Sequence, residues 1–171
     1  MAERTFVVDT NVILVAGERH GGVSPSCVAT CARKLQAIMD SGRIALDDGY
    51  EVLREYQNKT NPHDAKGPGD AFVKWALRNH TNPTRCDMIQ LDRVNGGEFA
   101  AFPQHPDLLG FDPADKKFVA ISNAHPHHPP ILEAADSKWL DWAPALHSCG
   151  IAVELLCVDD MQRFHEKKLG S

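Results

Sequence analysis

Apolar residues recur along this chain in two rhythms that alternate from its beginning to its end. Phe6-Val7-Val8 and then Val12-Ile13-Leu14 form a run rich in β-branched residues, broken only by Asp9, Thr10 and Asn11. Such a run, apolar on both faces, reads as a strand buried in a parallel sheet, and it predicts a first strand ending near Asp9. Ser24-Pro25-Ser26 supplies a helix start with proline near the first position, after which Val28, Cys31, Leu35 and Ile38 follow at helical spacing until Gly42. Residues 43–46 predict a second short strand, and Asp47-Asp48-Gly49 leads into a helix through Tyr50, Val52, Leu53 and Tyr56.

Between residues 58 and 113 the pattern loosens, with Asn61-Pro62, Gly67-Pro68-Gly69, Asn82-Pro83 and Gly96-Gly97 marking turns. Inside it, residues 70–79 predict a helix with Phe72, Trp75 and Ala76 on one side, while 88–94 fits a short strand and a helical turn equally. Asp112-Pro113-Ala114-Asp115 opens a further helix that packs through Phe118, Val119, Ile121 and Ser122 and ends before Pro126. Residues 131–135 predict a buried strand with Asp136 at its end, and 151–158 a last strand interrupted only by Glu154. Strands alternating with helices imply a three-layer α/β/α domain around a central, mostly parallel sheet. At 171 residues the chain is read as one domain over 1–171.

Composition bears on this picture in three ways. With 43% apolar and 24% charged residues the chain has the make-up of a globular domain rather than of a disordered one. The longest apolar stretch, 6–16, carries Asp9 and Asn11 and is too short to span a bilayer, and no secretory signal precedes it, so a cytoplasmic address without membrane attachment is expected. The five cysteines form no C-x-x-C pair, and their odd number argues for buried thiols against a disulfide framework. Cys27 and Cys31 sit four apart on a helix, but no second Cys/His pair completes a zinc site. The formal charge of −5 disfavours a broad basic surface for nucleic acid, unless the excess acid is gathered around a cation that inverts the local sign.

The acids themselves suggest such a gathering. In parallel α/β sheets ligands bind beyond the carboxyl ends of the strands, where acids placed just after strands converge. Asp9 closes the first strand, Glu51 and Glu55 lie on the helix after the second, Asp115 opens a later helix, and Asp136 closes the next-to-last strand. Carboxylates brought together repel unless protons or cations compensate, and an all-oxygen donor set suits Mg²⁺ or Mn²⁺, one ion or two, rather than zinc.

The segment Phe6-Val7-Val8-Asp9-Thr10-Asn11-Val12-Ile13-Leu14 resembles the first motif of PIN-domain nucleases, and the other motifs follow in order. Val52-Leu53-Arg54-Glu55-Tyr56 resembles the second, Asp115-Lys116-Lys117-Phe118-Val119-Ala120-Ile121 the third, and Ile131-Leu132-Glu133-Ala134-Ala135-Asp136-Ser137-Lys138-Trp139 the fourth. The likeness spans residues 5 to 158, with 58–109 matching no motif and reading as a family-variable insertion. It implies a metal-dependent nuclease, foremost a ribonuclease acting in a toxin, defence or RNA-processing role. Asp9, Glu55, Asp115 and Asp136 would then be catalytic and metal-binding, supported by Thr10 and Asn11. Glu51 competes with Glu55 one turn away, and Asp112 competes with Asp115. RNA is the implied partner, with an inhibitory or accessory protein, or a second copy of the chain, left open. Where the family's fourth motif often carries a second acid, this chain has Lys138, which predicts a weakly held second metal.

The same residues also fit other roles. Lys116 and Lys117 fit a nucleic-acid backbone contact or a solvated helix face. The His125-Pro126-His127-His128 loop fits a metal or phosphate contact but reads better as a stiffened loop, and Trp75, Trp139 and Trp142 read as packing before base stacking. A phosphatase of the haloacid dehalogenase type also begins with a strand ending in Asp, yet it needs a second Asp where this chain has Asn11. A catalytically silent scaffold of the same fold has no use for clustered carboxylates.

Overall fold

The computed structural model describes residues 4–170. Strand β1 (Thr5–Val8) occupies the middle of the sheet, and its last three residues are buried. Past Asp9 the chain turns at once into helix α1 (Thr10–Ala16). Val12, Ile13 and Leu14, read above with the strand, are therefore helical. A helix buried nearly all round is apolar all round, and over a few residues its pattern matches that of a buried strand.

Helix α2 (Pro25–Ser41) starts as its sequence predicts, with Ser24 Oγ accepting from Cys27 N at 3.1 Å and proline in the first turn. It is followed by β2 (Arg43–Asp47), α3 (Glu51–Lys59), α4 (Pro68–Asn79) and β3 (Cys86–Ile89). The segment that matches no motif thus supplies a core helix and an edge strand, and a small hairpin, β4 (Arg93–Val94) with β5 (Glu98–Phe99), follows. A 3₁₀ turn, Pro113–Asp115, runs into α5 (Lys116–Ala124), then β6 (Ile131–Glu133), α6 (Lys138–Ser148), β7 (Val153–Leu155) and α7 (Val158–Leu169). The last helix was not foreseen: the strand read over 151–158 occupies only its middle, and its end belongs to α7.

The sheet has the order β3-β2-β1-β6-β7, and every pairing in it is parallel. Phe6 faces Ile44 on one side of β1, and Val8 faces Leu132 on the other. Helices flank the sheet, so the architecture is the three-layer α/β/α arrangement. Helix α1 passes so close to α4 that a Cβ at Gly69 would overlap the Ile13 carbonyl oxygen.

One expectation about cysteine is overturned. Cys27, in the first turn of α2, and Cys157, at the start of α7, form a disulfide with Cα atoms 5.3 Å apart; Cys31, Cys86 and Cys149 are free. The partners are separated by 130 positions in sequence, so only the docking of α7 on α2 brings them within bonding reach. Among the described residues no helix is long and apolar enough to cross a membrane.

Candidate functional site

The chain builds the sheet outward from β1 through β2 to β3, then returns to the other side of β1 with β6 and β7. The growth direction reverses between β1 and β6, and open α/β sheets hold ligands in the crevice beyond the carboxyl ends of strands at such a point. Asp9 leaves β1 there and Glu133 ends β6 beside it, each one residue past the paired Val8 and Leu132.

Asp9 is 5% exposed, and its Oδ1 accepts from Asn11 N at 2.9 Å, capping α1. Burial raises its carboxyl above the ordinary value, partly offset by hydrogen bonding to Glu133 and Asn11. Glu133 is 0% exposed, and no N–H or O–H donor among the described residues reaches either of its oxygens. What Glu133 meets is the Asp9 carboxyl, and a hydrogen bond between the two exists only when one of them carries a proton. Burial, then the Asp9 charge, pushes Glu133 well above the usual carboxylate range.

Asp115, where the 3₁₀ turn meets α5, faces the same crevice. Burial first, and then the charges of Asp9 and Asp136, push its carboxyl up to about 7. Asp136, three residues past Glu133, is half-buried, and its Oδ1 accepts from Lys138 N at 3.2 Å. Glu55 completes the rim from α3. Its Oε2 accepts the Thr10 hydroxyl, and its Oε1 meets Lys117 Nζ at 3.0 Å. Asn11 ties the two strand ends together, its Oδ1 accepting from Ala135 N at 2.7 Å.

The structure therefore draws Asp9, Glu55, Asp115 and Asp136 together, turns Glu51 away from them, and leaves Asp112 at their edge, where its charge still acts on Asp115. Glu51 turns away to Arg93 Nη2 at 2.5 Å. Asp112 caps the 3₁₀ turn through Ala114 N and meets Lys138 Nζ at 2.6 Å, and that ammonium holds its carboxyl below the ordinary range. Lys138 also reaches Asp136 at 3.7 Å, so a built-in cation stands on that side of the crevice. Lys116 pairs with Glu98 at 3.1 Å, and Lys117 also donates to the Ala114 carbonyl, so both lysines considered for substrate are engaged within the protein.

Other buried acids show what an ordinary structural carboxylate looks like in this fold. Asp47, 2% exposed, accepts from Glu51 N at 2.8 Å and Val52 N at 2.9 Å. Asp160, 6% exposed, accepts from the backbone and hydroxyl of Ser24 and from Arg163. Glu133 has no such donors, which separates it from a capping or core-satisfied acid. It was not among the acids singled out from the sequence. The available signal was a lone charge at the end of an otherwise apolar strand with both faces covered.

The histidine loop and the tryptophans lie outside the cluster. His125 is buried and its ring meets Asp87 Oδ2 at 2.8 Å, at the end of α5 away from Asp115. Trp139 packs against Phe111 and Trp142, and Trp75 stacks on Phe72. Comparison of the chain with family models, with curated proteins and with solved structures returns no match.

Proposed function

We propose that this chain is a divalent-metal-dependent nuclease that hydrolyses phosphodiesters, most readily those of RNA. The observation that carries the proposal is Glu133: a fully buried carboxylate without a hydrogen-bond donor, set against Asp9 and facing Asp115 and Asp136. An unpaired ionised carboxylate in a dry site is so costly that it takes up a proton or a cation. The donors are all oxygens, which fits Mg²⁺ or Mn²⁺ and not a soft metal.

Asp9, Glu133, Asp115 and Asp136 would hold the ion. Such a cation, when bound, lowers the pKa of a coordinated water and offsets charge on phosphate oxygens. The protein's own part is positional. Asn11 holds the loop after β6 against α1, Thr10 and Lys117 orient Glu55, and Tyr56 donates its hydroxyl to the Val8 carbonyl beneath Asp9. Lys138 pairs with Asp112 at 2.6 Å and reaches Asp136 at 3.7 Å, offsetting part of the charge on that side and leaving Asp9, Glu133 and Asp115 as the acids that most need a cation. One ion per chain is therefore expected. The phosphatase alternative finds no support, since the side-chain oxygen of Asn11 is spent on Ala135 and no acid replaces it there. The resemblance of the sequence motifs to PIN domains is what favours RNA among phosphodiesters.

Calorimetric titration with Mn²⁺ and cleavage of a labelled RNA, each with wild type, Asp9→Asn and Asp115→Asn, test the proposal. Wild type should bind one ion and cut; both variants should lose binding and cutting. Wild-type Mn²⁺ affinity and cleavage in Asp9→Asn would overturn it.

A further inference from the structure

Three of the five cysteines meet at one place in the core. Cys27 and Cys31 stand four positions apart on α2, hence on one face of it, and Cys157 stands immediately before α7. Their three sulfurs all lie within 4.8 Å of one another, and Cys31 Sγ is 3.9 Å from Cys157 Sγ. By sequence Cys27 and Cys31 are a pair without a second pair; the docking of α7 brings the third sulfur from 126 positions beyond Cys31. That docking does not depend on sulfur alone. Ser24 donates to Asp160 through its backbone N at 2.6 Å and its hydroxyl at 2.8 Å, and Arg163 reaches the Gly22 carbonyl at 2.9 Å.

A disulfide between Cys27 and Cys157 uses two of these sulfurs and leaves the third unexplained. Cys31 is free and 0% exposed, and the sulfur its thiol meets is that of Cys157. Thiolates that share one ion at metal–sulfur distances of about 2.3 Å stand roughly 4 Å apart, which is the Cys31–Cys157 spacing. Once the disulfide is reduced, side-chain rotation lets Cys27 and Cys157 part to the same spacing. Two of the three sulfurs also stand at the amino ends of helices, where a thiolate is favoured. The Asp160 charge acts on Cys31, but the Ser24 donors and Arg163 offset it. Among the described residues no fourth His, Cys, Asp or Glu brings a donor atom within 4.8 Å of all three sulfurs, and the cysteines are 3%, 0% and 6% exposed. A structural zinc ion takes four ligands, so a dry set of three sulfurs suits soft, monovalent copper instead.

We propose that Cys27, Cys31 and Cys157, when reduced, form a three-sulfur site for one Cu(I) ion, which then ties α7 to α2 in place of the disulfide. A dithiol supplies the reduction: the Cys27–Cys157 bond breaks, each sulfur gains an electron and a proton, and the dithiol leaves as its own disulfide. The ion then displaces the protons of the three thiols. The site is built of sulfur where the acidic centre is built of oxygen, so the two select different ions and neither depends on the other.

The test is a competition for copper. Protein reduced with dithiothreitol and freed of it by anaerobic desalting is titrated against Cu(I) held by a coloured chelator, bathocuproine disulfonate. Reduced wild type should draw one ion per chain from the chelator, with three sulfur neighbours and no nitrogen or oxygen in X-ray absorption, and oxidised wild type should draw none. Cys31→Ala keeps both partners of the disulfide, and its oxidised form, checked by urea denaturation, shows that it folds. Reduced, it should lose more affinity than the roughly 10- to 100-fold that loss of an outer partner costs a metal site. Cys86→Ser removes the other soft pair, Cys86 with the Met88 thioether at 3.8 Å, and should bind copper as wild type does. Copper should also return to reduced wild type, and not to reduced Cys31→Ala, the resistance to urea that was lost with the disulfide. Failure of reduced wild type to draw copper, wild-type affinity in Cys31→Ala, or loss of binding in Cys86→Ser would each overturn the assignment. A Cys31–Cys157 bond in peptide maps of oxidised protein that draws no copper when reduced would give the third sulfur to disulfide exchange instead.

Discussion

Replacing Asp115 by Asn should stabilise the metal-free protein while removing its response to metal. The Asp115 carboxyl is pushed from 3.8 up to about 7 by burial and by the Asp9 and Asp136 charges. Between those two values the folded protein holds a proton that the unfolded chain has released, so the carboxyl's contribution to stability declines as pH rises through that window and is constant above it. The full displacement, 3.8 to about 7, corresponds to about 4 kcal/mol. Asp115 keeps a water-facing side, and solvent screening reduces this to about 2 kcal/mol. For a chain of this size that is about 4–8 °C in Tm. Asn has nearly the same shape and no charge, and it relieves Asp9 and Glu133 as well. Urea or thermal denaturation in EDTA should therefore find Asp115→Asn equal to wild type near pH 4, with its advantage growing to about pH 7 and level beyond. Mn²⁺ at 100 times its Kd should then stabilise wild type by about 2.7 kcal/mol and the variant far less. A variant-to-wild-type difference that does not change with pH, or equal stabilisation of both by Mn²⁺, would refute the reasoning.

Glu133→Gln should likewise fold with at least wild-type stability in EDTA at neutral pH, and it should bind Mn²⁺ about 10- to 100-fold more weakly by calorimetry; unchanged Mn²⁺ affinity would remove Glu133 from the centre. Dithiothreitol should lower the urea-denaturation stability of wild type by about 2–4 kcal/mol and leave that of Cys157→Ser unchanged, since the 130-position span of the disulfide restricts the unfolded chain. A wild-type protein indifferent to reductant would show that the bond contributes nothing. Gly69→Ala should cost about 1–3 kcal/mol in the same assay, because the new methyl must push α4 away from the Ile13 carbonyl; a neutral outcome would mean that α1 and α4 separate freely.

Periodicity and capping chemistry made much of the scaffold legible in the sequence. Ser24-Pro25 marks the start of α2, Gly42 its end, and the short apolar stretches within 6–8 and 43–46 give two of the parallel strands. Local interactions set these features, so a local pattern reports them. Helix α7 was missed for the converse reason. Its sequence, VDDMQRFHEKKL, has Val158, Met161 and Phe164 at helical spacing but is otherwise polar, and it is held by ties to Gly22, Ser24, Cys27 and Asp141, which no local pattern contains. Val12 to Leu14 were ambiguous because a short run that is apolar on every side fits both periods.

For the candidate site, the sequence alone determined which acids stand at the ends of strands and the starts of helices, because strand and helix boundaries are written locally. Only the tertiary structure decided which of them meet. It turned Glu51 toward Arg93 and Glu55 toward Thr10, gave Asp112 to Lys138, and set Glu133 against Asp9. Whether a carboxylate is a cap, a salt-bridge partner or an uncompensated charge depends on the donors that the rest of the fold brings to it, and those donors come from segments far away in the chain.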